Sequence, residues 1–281
     1  MAGRVIEVSP SVARRGFAER IPRFHDRGHT ACVRVIVLGA GGEMGSRVCA
    51  LLEARGHSVG RASRRTGVDA YSGAGLVDAF RGADAVLDCL NVQTLSRRRA
   101  VRFFSTTARN VATAARQAQV EHVVCVSIAN VDDPAVSRRM GYYAGKAVQA
   151  SVYREAGIPV SIVSSTQWFE LARTLLHQIR LGALAFVPHL LSRPVAADSV
   201  AAILADVVAG RVVRGSLVVA GPERLDMVDL ARRVAAVEEP STRVIGIPGL
   251  GRAVRSGALI PRGDALIDSV RCDDWLLRRS R

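Results

Sequence analysis

Short apolar runs alternate with longer amphipathic segments along the chain from Val33 onwards. Short runs rich in valine and isoleucine are typical of buried parallel strands, and apolar residues at three- to four-residue spacing predict helices. The predicted strands lie near 33–38, 57–62, 84–90, 121–127, 158–164 and 216–220. The predicted helices lie near 44–55, 75–81, 97–118, 140–156, 167–180 and 198–209. This alternation predicts an α/β fold with a doubly wound parallel sheet.

The alternation loosens after about residue 165. A further helix is predicted near 227–237, followed by a stretch rich in glycine and proline at 246–263. We expect this part of the chain to add a small C-terminal substrate lobe to a single domain that covers residues 32–281.

Residues 1–31 differ from the rest of the chain, because they contain six arginines and no sustained apolar periodicity. They are interpreted as a disordered leader, or as a start of translation assigned too far upstream. An arginine-rich targeting peptide is the alternative. Glu7, Glu19 and Asp26 argue against it, since such peptides are poor in acidic residues.

The charge balance raises the question of a nucleic acid partner, because the 281 residues have a formal net charge of +14. Of the 39 basic residues, 38 are arginine, and they are spread over the whole chain. Only 5% of the residues are aromatic, so the stacking surface of a protein that binds single strands is missing. We therefore expect a small-molecule substrate and no specific nucleic acid partner.

Neither a membrane span nor a metal site is predicted. The longest stretch without a charge, 156–169, has 14 residues, whereas a spanning helix needs about 20 mostly apolar residues. The five cysteines are isolated, without a C-x-x-C pair or a histidine at metal-ligand spacing. These features are typical of a cytoplasmic protein without disulfides, and they leave open whether it is a monomer or a homodimer.

A glycine-rich loop follows the first predicted strand. Its glycines have the spacing G-x-x-G-x-x-G and lead into an amphipathic helix. In this context glycine allows a tight turn and the close approach of a pyrophosphate, and the helix N-terminus attracts phosphate. The loop predicts a dinucleotide site formed by Gly39, Gly42, Glu43, Met44 and Gly45. The Glu43 carboxylate would repel the pyrophosphate unless it points to solvent.

The end of the second strand distinguishes NADP from NAD. An acidic residue there would bind the ribose 2′-hydroxyl of NAD, whereas arginine accommodates the 2′-phosphate of NADP. The sequence HSVGRASRRTG offers Arg61, Ser63, Arg64 and Arg65, with no acid before Asp69. Because a guanidinium matches phosphate geometry, NADP is predicted and NAD is less favoured. Asp69, after a short third strand, is expected to accept a hydrogen bond from the adenine amino group.

Three polar residues downstream suit carbonyl reduction. Ser127 ends the strand VVCVS, and Tyr142 and Lys146, the only lysine of the chain, lie four residues apart on one helical face. A tyrosine whose pKa is lowered by an adjacent ammonium can protonate a developing alkoxide, while a serine hydroxyl orients the carbonyl. Lys146 can also bind the ribose hydroxyls of the cofactor. The exposed face of an ordinary helix would show the same spacing, and the sole lysine at this position is what favours a catalytic group.

The motifs together resemble the atypical short-chain dehydrogenase/reductase superfamily, in particular its NmrA-like, NAD(P)H-binding members. The resemblance extends from Val33 to the end of the chain. It rests on LGAGGEMG, RASRR, RNVATAARQAQVEHVVCVSIANV, GYYAGKAVQ and STQWFE. It implies a Rossmann fold that binds NADP or NAD, and it assigns Ser127, Tyr142 and Lys146 to catalysis.

The same resemblance implies further residues around the cofactor. Leu90 and Asn91 would line the nicotinamide ribose, Asn110 would lie on the neighbouring helix, and residues 164–167 would face the nicotinamide ring.

Four residues at three places depart from the family pattern. Ser164 stands where an arginine often follows the sixth strand, and Asn130 stands where a small residue is expected. Arg138 and Arg139 precede Tyr142, where they would favour an acidic substrate or simply face solvent.

The sequence therefore favours an NADP-dependent oxidoreductase that acts on a small carbonyl, alcohol or quinone-like compound. The alternative is an NmrA-like redox sensor that binds the cofactor and regulates partners without turnover. The lysine at the catalytic position favours the enzyme over the sensor. An isomerase or epimerase that uses the cofactor transiently is a third hypothesis.

Overall fold

A parallel β-sheet forms the centre of the computed structural model, which describes residues 6–7, 32–138, 140–210, 215–249 and 251–279. The strands are, in chain order, β1 (Ile6–Glu7), β2 (Arg34–Leu38), β3 (Ser58–Ala62), β4 (Ala85–Asp88), β5 (His122–Ile128), β6 (Val160–Ser165), β7 (Arg180–Leu181), β8 (Leu184–Pro188), β9 (Leu191–Ser192), β10 (Ser216–Ala220), β11 (Leu225–Asp226), β12 (Arg243–Ile247) and β13 (Leu266–Ile267). The α-helices are α1 (Glu43–Ala54), α2 (Leu76–Phe80), α3 (Arg97–Gln117), α4 (Pro134–Ser137), α5 (Gly141–Glu155), α6 (Leu171–Gln178), α7 (Ala197–Val208), α8 (Met227–Glu238), α9 (Arg252–Arg255) and α10 (Cys272–Leu277).

The strands of the central sheet lie in the order β1-β13-β10-β6-β5-β4-β2-β3, and all neighbouring pairs are parallel. Seven of these strands come from the described residues after 31. The six strands predicted from the sequence all form, and each begins and ends within two residues of its predicted bounds. The predicted α/β class with a doubly wound parallel sheet is confirmed.

Alternate residues of each inner strand serve the two faces of the sheet, as the buried strand β2 illustrates. Val35 and Val37 join a cluster with apolar residues of α1 and α7. Ile36 and Leu38 point the other way and join a cluster with residues of α2, α3 and α5. Because both faces are covered, the strand is apolar throughout, as expected for a parallel sheet between two layers of helices.

The order of the strands places a crevice between β2 and β4. The chain moves from β2 to β3 on one side and then crosses to β4 on the other side of β2. At such a switch point the loops after the two strands diverge, and ligands bind outside the carboxyl ends of the strands. The glycine loop after β2 and the segment after β4 lie here.

The chain after residue 165 forms a small lobe and also returns to the central sheet through α7, β10 and β13. The lobe contains the pair β9–β11 and the three strands β7, β8 and β12. Its apolar cluster is built around the buried residues Phe169, Leu176, Met227, Leu230 and Trp275. Helix α8 matches its prediction, whereas the short strands of the lobe have no counterpart in the predicted elements.

Only two residues of the N-terminal segment 1–31 are described. Ile6 and Glu7 pair with Leu266 and Ile267 of β13. Residues 1–5 and 8–31, on which the expectation of a disordered leader rests, lie outside the described residues.

The prediction of a short third strand before Asp69 is wrong. A single turn of 3₁₀-helix, Arg64–Thr66, follows β3, and Asp69 forms only an isolated antiparallel bridge with Ala74. Gly67 between them has a φ of +79°, a left-handed conformation that ends extended structure.

Helices α3 and α5 approach too closely for side chains to lie between them. A Cβ atom added at Gly141 would lie 2.7 Å from the Cα atom of Arg97. One added at Gly145 would lie 2.6 Å from a ring carbon of Phe104 and 2.9 Å from the carbonyl carbon of Ala100. The two glycines therefore set the spacing of the helix pair, on either side of Tyr142.

Replacement of Gly145 by alanine should destabilise the protein, although alanine is the better helix former. Helix propensity favours alanine by about 1 kcal/mol, whereas overpacking of a filled interface costs about 1–3 kcal/mol. Since the obstructing atoms belong to the backbone and to a buried ring, we expect the free energy of unfolding to fall by about 1–2 kcal/mol in urea denaturation.

The control for this measurement is Gly41→Ala, because no atom lies within 4 Å of the added Cβ position. This variant should not be destabilised. If Gly145→Ala has the same urea midpoint of unfolding as the wild type, the helix pair can adjust to the extra carbon and the prediction is wrong.

Candidate functional site

The glycine loop packs tightly against the end of β4. Gly39 has a φ of +72°, and a Cβ atom there would lie 2.9 Å from the carbonyl oxygen of Cys89. A Cβ atom at Gly45 would lie 2.3 Å from the carbonyl oxygen of Gly39. Both positions therefore require glycine. Together they allow the start of α1 to pack closely against the loop after β2 and the end of β4.

The start of α1 leaves its backbone donors open. Gly42 is the N-cap residue and has no side chain to accept from the first turn. The first N–H groups of a helix have no partner within the helix, so they are available to an anion. Met44 is buried in the apolar cluster beneath the loop.

The carboxylate of Glu43 is compensated by a basic residue. Glu43 is exposed, and its Oε1 lies 3.5 Å from Nη2 of Arg47 one turn later. Arg47 also pairs with Asp198 of α7 and lies 3.7 Å from the buried Glu170. The repulsion that the sequence suggested for Glu43 is therefore offset locally.

The arginines after β3 have different surroundings. Arg61 donates to both carboxylate oxygens of Glu53 on α1, at 3.1 and 2.9 Å. Arg64 and Arg65 are exposed, and no acidic residue of the described chain pairs with either. Ser63 precedes the 3₁₀ turn, and its backbone N–H donates to the Thr66 hydroxyl at 2.9 Å.

Asp69 accepts a hydrogen bond from within its own turn. Its Oδ1 lies 2.9 Å from the backbone nitrogen of Tyr71. Asn110 of α3 holds the same turn, since its Nδ2 donates to the carbonyls of Ala70 and Tyr71 at 3.1 and 3.0 Å. Asn110 therefore lies on the neighbouring helix and joins it to the loop that carries Asp69.

The segment after β4 connects the glycine loop to the predicted catalytic lysine. The backbone N–H of Leu90 donates to Oδ1 of the buried Asp88 at 2.8 Å, and the Leu90 carbonyl lies 3.4 Å from Nζ of Lys146. Asn91 is exposed, and its Oδ1 accepts from the backbone of Val92 at 2.8 Å. Leu90 is thus placed between Gly39 and Lys146.

Lys146 is buried, and three acceptors surround its ammonium. Nζ lies 3.0 Å from the Val126 carbonyl, 2.9 Å from Oε1 of Gln149 and 3.4 Å from the Leu90 carbonyl. An ammonium has three protons to donate, so the protein supplies one acceptor for each. The ammonium also lies 4.6 Å from the ring centroid of Phe104.

Ser127 lies near the carboxyl end of β5, directly after the residue whose carbonyl binds this lysine. The residue is 3% exposed, and its Oγ has no hydrogen-bond partner. Its neighbour Val126 binds Lys146, and Ser164 of β6 lies opposite it in the sheet. A buried hydroxyl without a partner is unfavourable, so Ser127 is an exception among the buried polar groups of the described residues.

Tyr142 is half-buried at the start of α5, and its pKa shifts in the direction opposite to the one expected from the sequence. Its ring packs edge-on against Phe104, with centroids 5.8 Å apart. Burial raises the pKa of Tyr142 to about 12. The predicted lowering of this pKa by Lys146 is wrong, because the ammonium binds backbone carbonyls and Gln149 instead of the phenol.

Residues 164–167 are largely engaged with one another and with the lobe. Ser165 accepts from the Trp168 indole at 2.9 Å, and Thr166 donates to the Arg193 carbonyl at 2.5 Å. Gln167 donates to the Tyr143 hydroxyl at 3.0 Å. Ser164, which replaces an arginine of the family pattern, is half-buried.

Asn130 adopts a left-handed conformation with a φ of 54°. Asparagine tolerates this region better than most residues. Its Nδ2 donates to the carbonyls of Ala258 and Ile260, at 2.9 and 2.7 Å, which ties the loop after β5 to the C-terminal lobe. Arg138 nearby is exposed, and Arg139 lies outside the described residues.

Sequence reasoning did not identify Gln149, which binds Lys146, or Asp88 and Tyr153, which continue the hydrogen-bonded chain from Gln149. Asp88 is an acid at the end of an otherwise apolar strand, and Gln149 follows Lys146 by three residues. Both features are visible in the sequence, and a buried acid in a strand AVLD was the available signal.

The glycine loop at the switch point and the open start of α1 define a dinucleotide-binding protein of the Rossmann type. The profile of the NAD(P)H-binding family matches residues 39–210, which is more than half of the chain. The protein belongs to this NAD(P)H-binding family, and the prediction of an NAD(P) cofactor is confirmed at this level.

Solved structures with the same fold share little sequence with the chain. A dTDP-4-dehydrorhamnose reductase from Bacillus anthracis, in complex with NADP, has a TM-score of 0.68 at 14% identity and covers 88% of this chain and 98% of its own. A nucleoside-diphosphate-sugar epimerase from Staphylococcus aureus has a TM-score of 0.64 at 15% identity, with 87% and 99% covered.

A short-chain dehydrogenase/reductase superfamily protein from Agrobacterium tumefaciens with bound NAD is a further example. It has a TM-score of 0.60 at 16% identity and covers 88% of this chain and 96% of its own. These similarities confirm the Rossmann fold. No protein with curated annotation matches the sequence.

Two further observations concern the described part of the chain. None of its helices combines the length and the apolar composition that crossing a bilayer requires. Within the same ranges, no three or more His, Cys, Asp or Glu side chains are grouped to hold a metal ion.

The raised pKa of Tyr142 predicts a stability loss in alkali. The phenol ionises near pH 10 when unfolded but near 12 when folded, so its contribution to stability is complete below about pH 10 and is lost as the pH rises towards 12. The unfolding free energy of the wild type relative to Tyr142→Phe should therefore fall by about 1 kcal/mol between about pH 9 and pH 11.

Urea denaturation of the two proteins at both pH values measures this difference. Tyr71 and Tyr153 are present in both proteins, so their contributions cancel, and the coupling of Tyr143 to Tyr142 adds to the difference in the same direction. A difference between the two proteins that rises with pH would mean a lowered pKa, as the sequence alone suggested.

Proposed function

We propose that the protein is an NADP-dependent oxidoreductase that acts on a small carbonyl, alcohol or quinone-like compound. The observation that supports this most directly is the arrangement at the carboxyl edge of the sheet. There Leu90 contacts both the glycine loop, through the close approach of Gly39, and the ammonium of Lys146. The same ammonium binds the carbonyl of Val126, and the next residue, Ser127, has a buried hydroxyl without a partner.

The residues present fit a dinucleotide. Gly39 and Gly45 keep the start of α1 clear of side-chain atoms, and Gly42 leaves its first N–H groups uncapped. Arg47 offsets the one carboxylate of the first turn. These features would hold a pyrophosphate between the loop after β2 and the segment after β4.

The preference for NADP over NAD rests on Arg64 and Arg65. Both are exposed at the end of β3 without an acidic partner in the described chain, whereas Arg61 is paired with Glu53. Two unpaired guanidinium groups at this place suit a ribose 2′-phosphate. The first acid after them in the sequence, Asp69, is engaged with the backbone of Tyr71.

The bound nicotinamide supplies the hydride chemistry, and the protein supplies orientation and a proton. Ser127 would orient the substrate oxygen through its Oγ, which has no partner in the protein. Tyr142 would hold the proton that the substrate oxygen receives, and its raised pKa keeps this proton on the phenol at neutral pH. Lys146 would contact the cofactor ribose near Leu90, where its longest hydrogen bond lies.

An NmrA-like redox sensor without turnover is the second candidate. One observation favours it: the ammonium of Lys146 is fully engaged with Val126, Gln149 and Leu90, and burial raises the pKa of Tyr142. With Lys146 and Tyr142 arranged in this way, the site could still bind the cofactor but would lack an activated proton donor. The solved structures of similar fold include reductases and epimerases of nucleotide sugars, which supports an enzyme over a sensor.

Titration of the purified protein with NADPH and NADH, followed by fluorescence at fixed moderate salt, tests the cofactor. We expect tighter binding of NADPH, and a loss of this preference in an Arg64→Ala/Arg65→Ala variant. A charge-assisted hydrogen bond to phosphate is worth about 1.5–3 kcal/mol, so NADPH affinity should fall about tenfold or more.

The matched control is Arg232→Ala/Arg233→Ala. It also removes two positive charges, but from α8 of the C-terminal lobe. Its NADPH affinity should remain that of the wild type. Equal affinity of the wild type for NADPH and NADH would disprove the NADP preference, and absence of saturable binding of either would disprove the proposed function.

The variant Tyr142→Phe separates the enzyme from the sensor. In an oxidoreductase it should lose about 10²–10⁴-fold in kcat on a carbonyl or quinone substrate, since a general acid contributes this much. Its NADPH affinity should be unchanged. Tyr143→Phe is the control, because this neighbouring phenol is buried against Gln167. A wild type that binds NADPH but turns over no member of a carbonyl and quinone panel would favour the sensor.

A further inference from the structure

We propose that Gln149 is a positioning residue that aims the Lys146 ammonium at the cofactor edge, and that the buried Asp88 fixes the orientation of Gln149. This inference rests on the proposed function, in which Lys146 contacts the cofactor. The three side chains form a continuous hydrogen-bonded line from α5 to the end of β4.

The line consists of short contacts between buried groups. Nζ of Lys146 lies 2.9 Å from Oε1 of Gln149, and Nε2 of Gln149 lies 2.9 Å from Oδ2 of Asp88. The Tyr153 hydroxyl donates to the same Oδ2 at 2.7 Å. Lys146 is 4% exposed, Tyr153 is 1% exposed, and Gln149 and Asp88 are fully buried.

The chemistry of the two ends determines which way the amide of Gln149 points. An ammonium offers only donors, and an ionised carboxylate offers only acceptors. The amide can therefore satisfy both neighbours in one orientation alone, with its NH₂ group towards Asp88 and its oxygen towards Lys146. Asp88 itself is held by the Leu90 N–H on its other oxygen, at 2.8 Å.

This arrangement directs the remaining protons of Lys146. With one proton on Gln149, the others point to the carbonyls of Val126, at 3.0 Å, and Leu90, at 3.4 Å. These carbonyls lie at the ends of β5 and β4, next to Ser127 and to the loop that Gly39 contacts. The contact with Leu90 is the longest of the three, so it is the one most readily exchanged for a ligand hydroxyl.

Tyr153 provides the comparison that separates positioning from stability. It binds the same carboxylate oxygen as Gln149, it is equally buried, and its hydrogen bonds do not include Lys146. Loss of either side-chain partner leaves Asp88 short of a donor and should lower stability. Only the loss of Gln149 also withdraws an acceptor from the ammonium.

The sole lysine of the chain makes the ammonium directly observable. Protein labelled with ¹⁵N-lysine has a single side-chain Nζ signal, since Lys146 is the only lysine. We expect slow hydrogen exchange at Nζ in the wild type and in Tyr153→Phe, and exchange faster by about tenfold or more in Gln149→Met, because the ammonium then lacks one acceptor. Gln149→Asn, which shortens the side chain, should show the same change if the methionine variant does not fold.

Titration with NADPH is the second readout. Its affinity should fall about tenfold in Gln149→Met, which corresponds to about 1.4 kcal/mol, and remain within a factor of two of the wild type in Tyr153→Phe. If both variants change Nζ exchange and NADPH affinity equally, or neither changes them, Gln149 has no positioning role.

Failure of the proposed function would look different. A wild type that does not bind NADPH would exclude the nucleotide-dependent activity, and the Nζ exchange of the variants would still test the control of Lys146 by Gln149. Slow exchange in Gln149→Met would then overturn the inference by itself.

Discussion

Two buried charged groups, the Asp88 carboxylate and the Lys146 ammonium, constrain the carboxyl edge of the sheet. Removal of an ion from water costs several kcal/mol unless polar partners replace the lost hydration. The partners here come from separate elements: the segment after β4, the Val126 carbonyl in β5, and two side chains of α5. Hydrogen bonds are directional, so satisfying these two charges fixes the strand ends relative to α5 more narrowly than apolar contact alone would.

The packing of the helices brings those groups within reach of the glycine loop. Gly141 and Gly145 allow α5 to lie directly on α3, which places Lys146 over the ring of Phe104 and below the Leu90 carbonyl. Gly39 brings the loop after β2 against the same segment from the other side. The nucleotide loop and the polar side chains of α5 thus meet at one place, although Gly39 and Lys146 are 107 positions apart in the sequence.

The sequence predicts the central fold well because each inner strand and each long helix has its own hydrophobic period. Ser127 was predicted to end its strand for the same reason, and Lys146 was identified because no other lysine occurs in the chain. The hydrogen bonds of Asp88 could not be predicted, because they depend on how α5 lies over β4. Their partners, Gln149 and Tyr153, follow Asp88 by 61 and 65 positions in the sequence. The predicted direction of the Tyr142 pKa shift was wrong, because the local motif does not show that the ring is buried against Phe104. The strands β7, β9 and β11 are two residues long, too short for a hydrophobic period.

The two hydrogen bonds of Asn130 join parts of the molecule that have separate tasks. One end of this connection follows Ser127 by three residues, and the other lies in the C-terminal lobe, 128 and 130 residues further along the chain. Because one side-chain amide makes both bonds, a change in the position of Asn130 weakens both together. The contact between the loop after β5 and residues 258–260 of the lobe therefore depends on the conformation of one residue, Asn130.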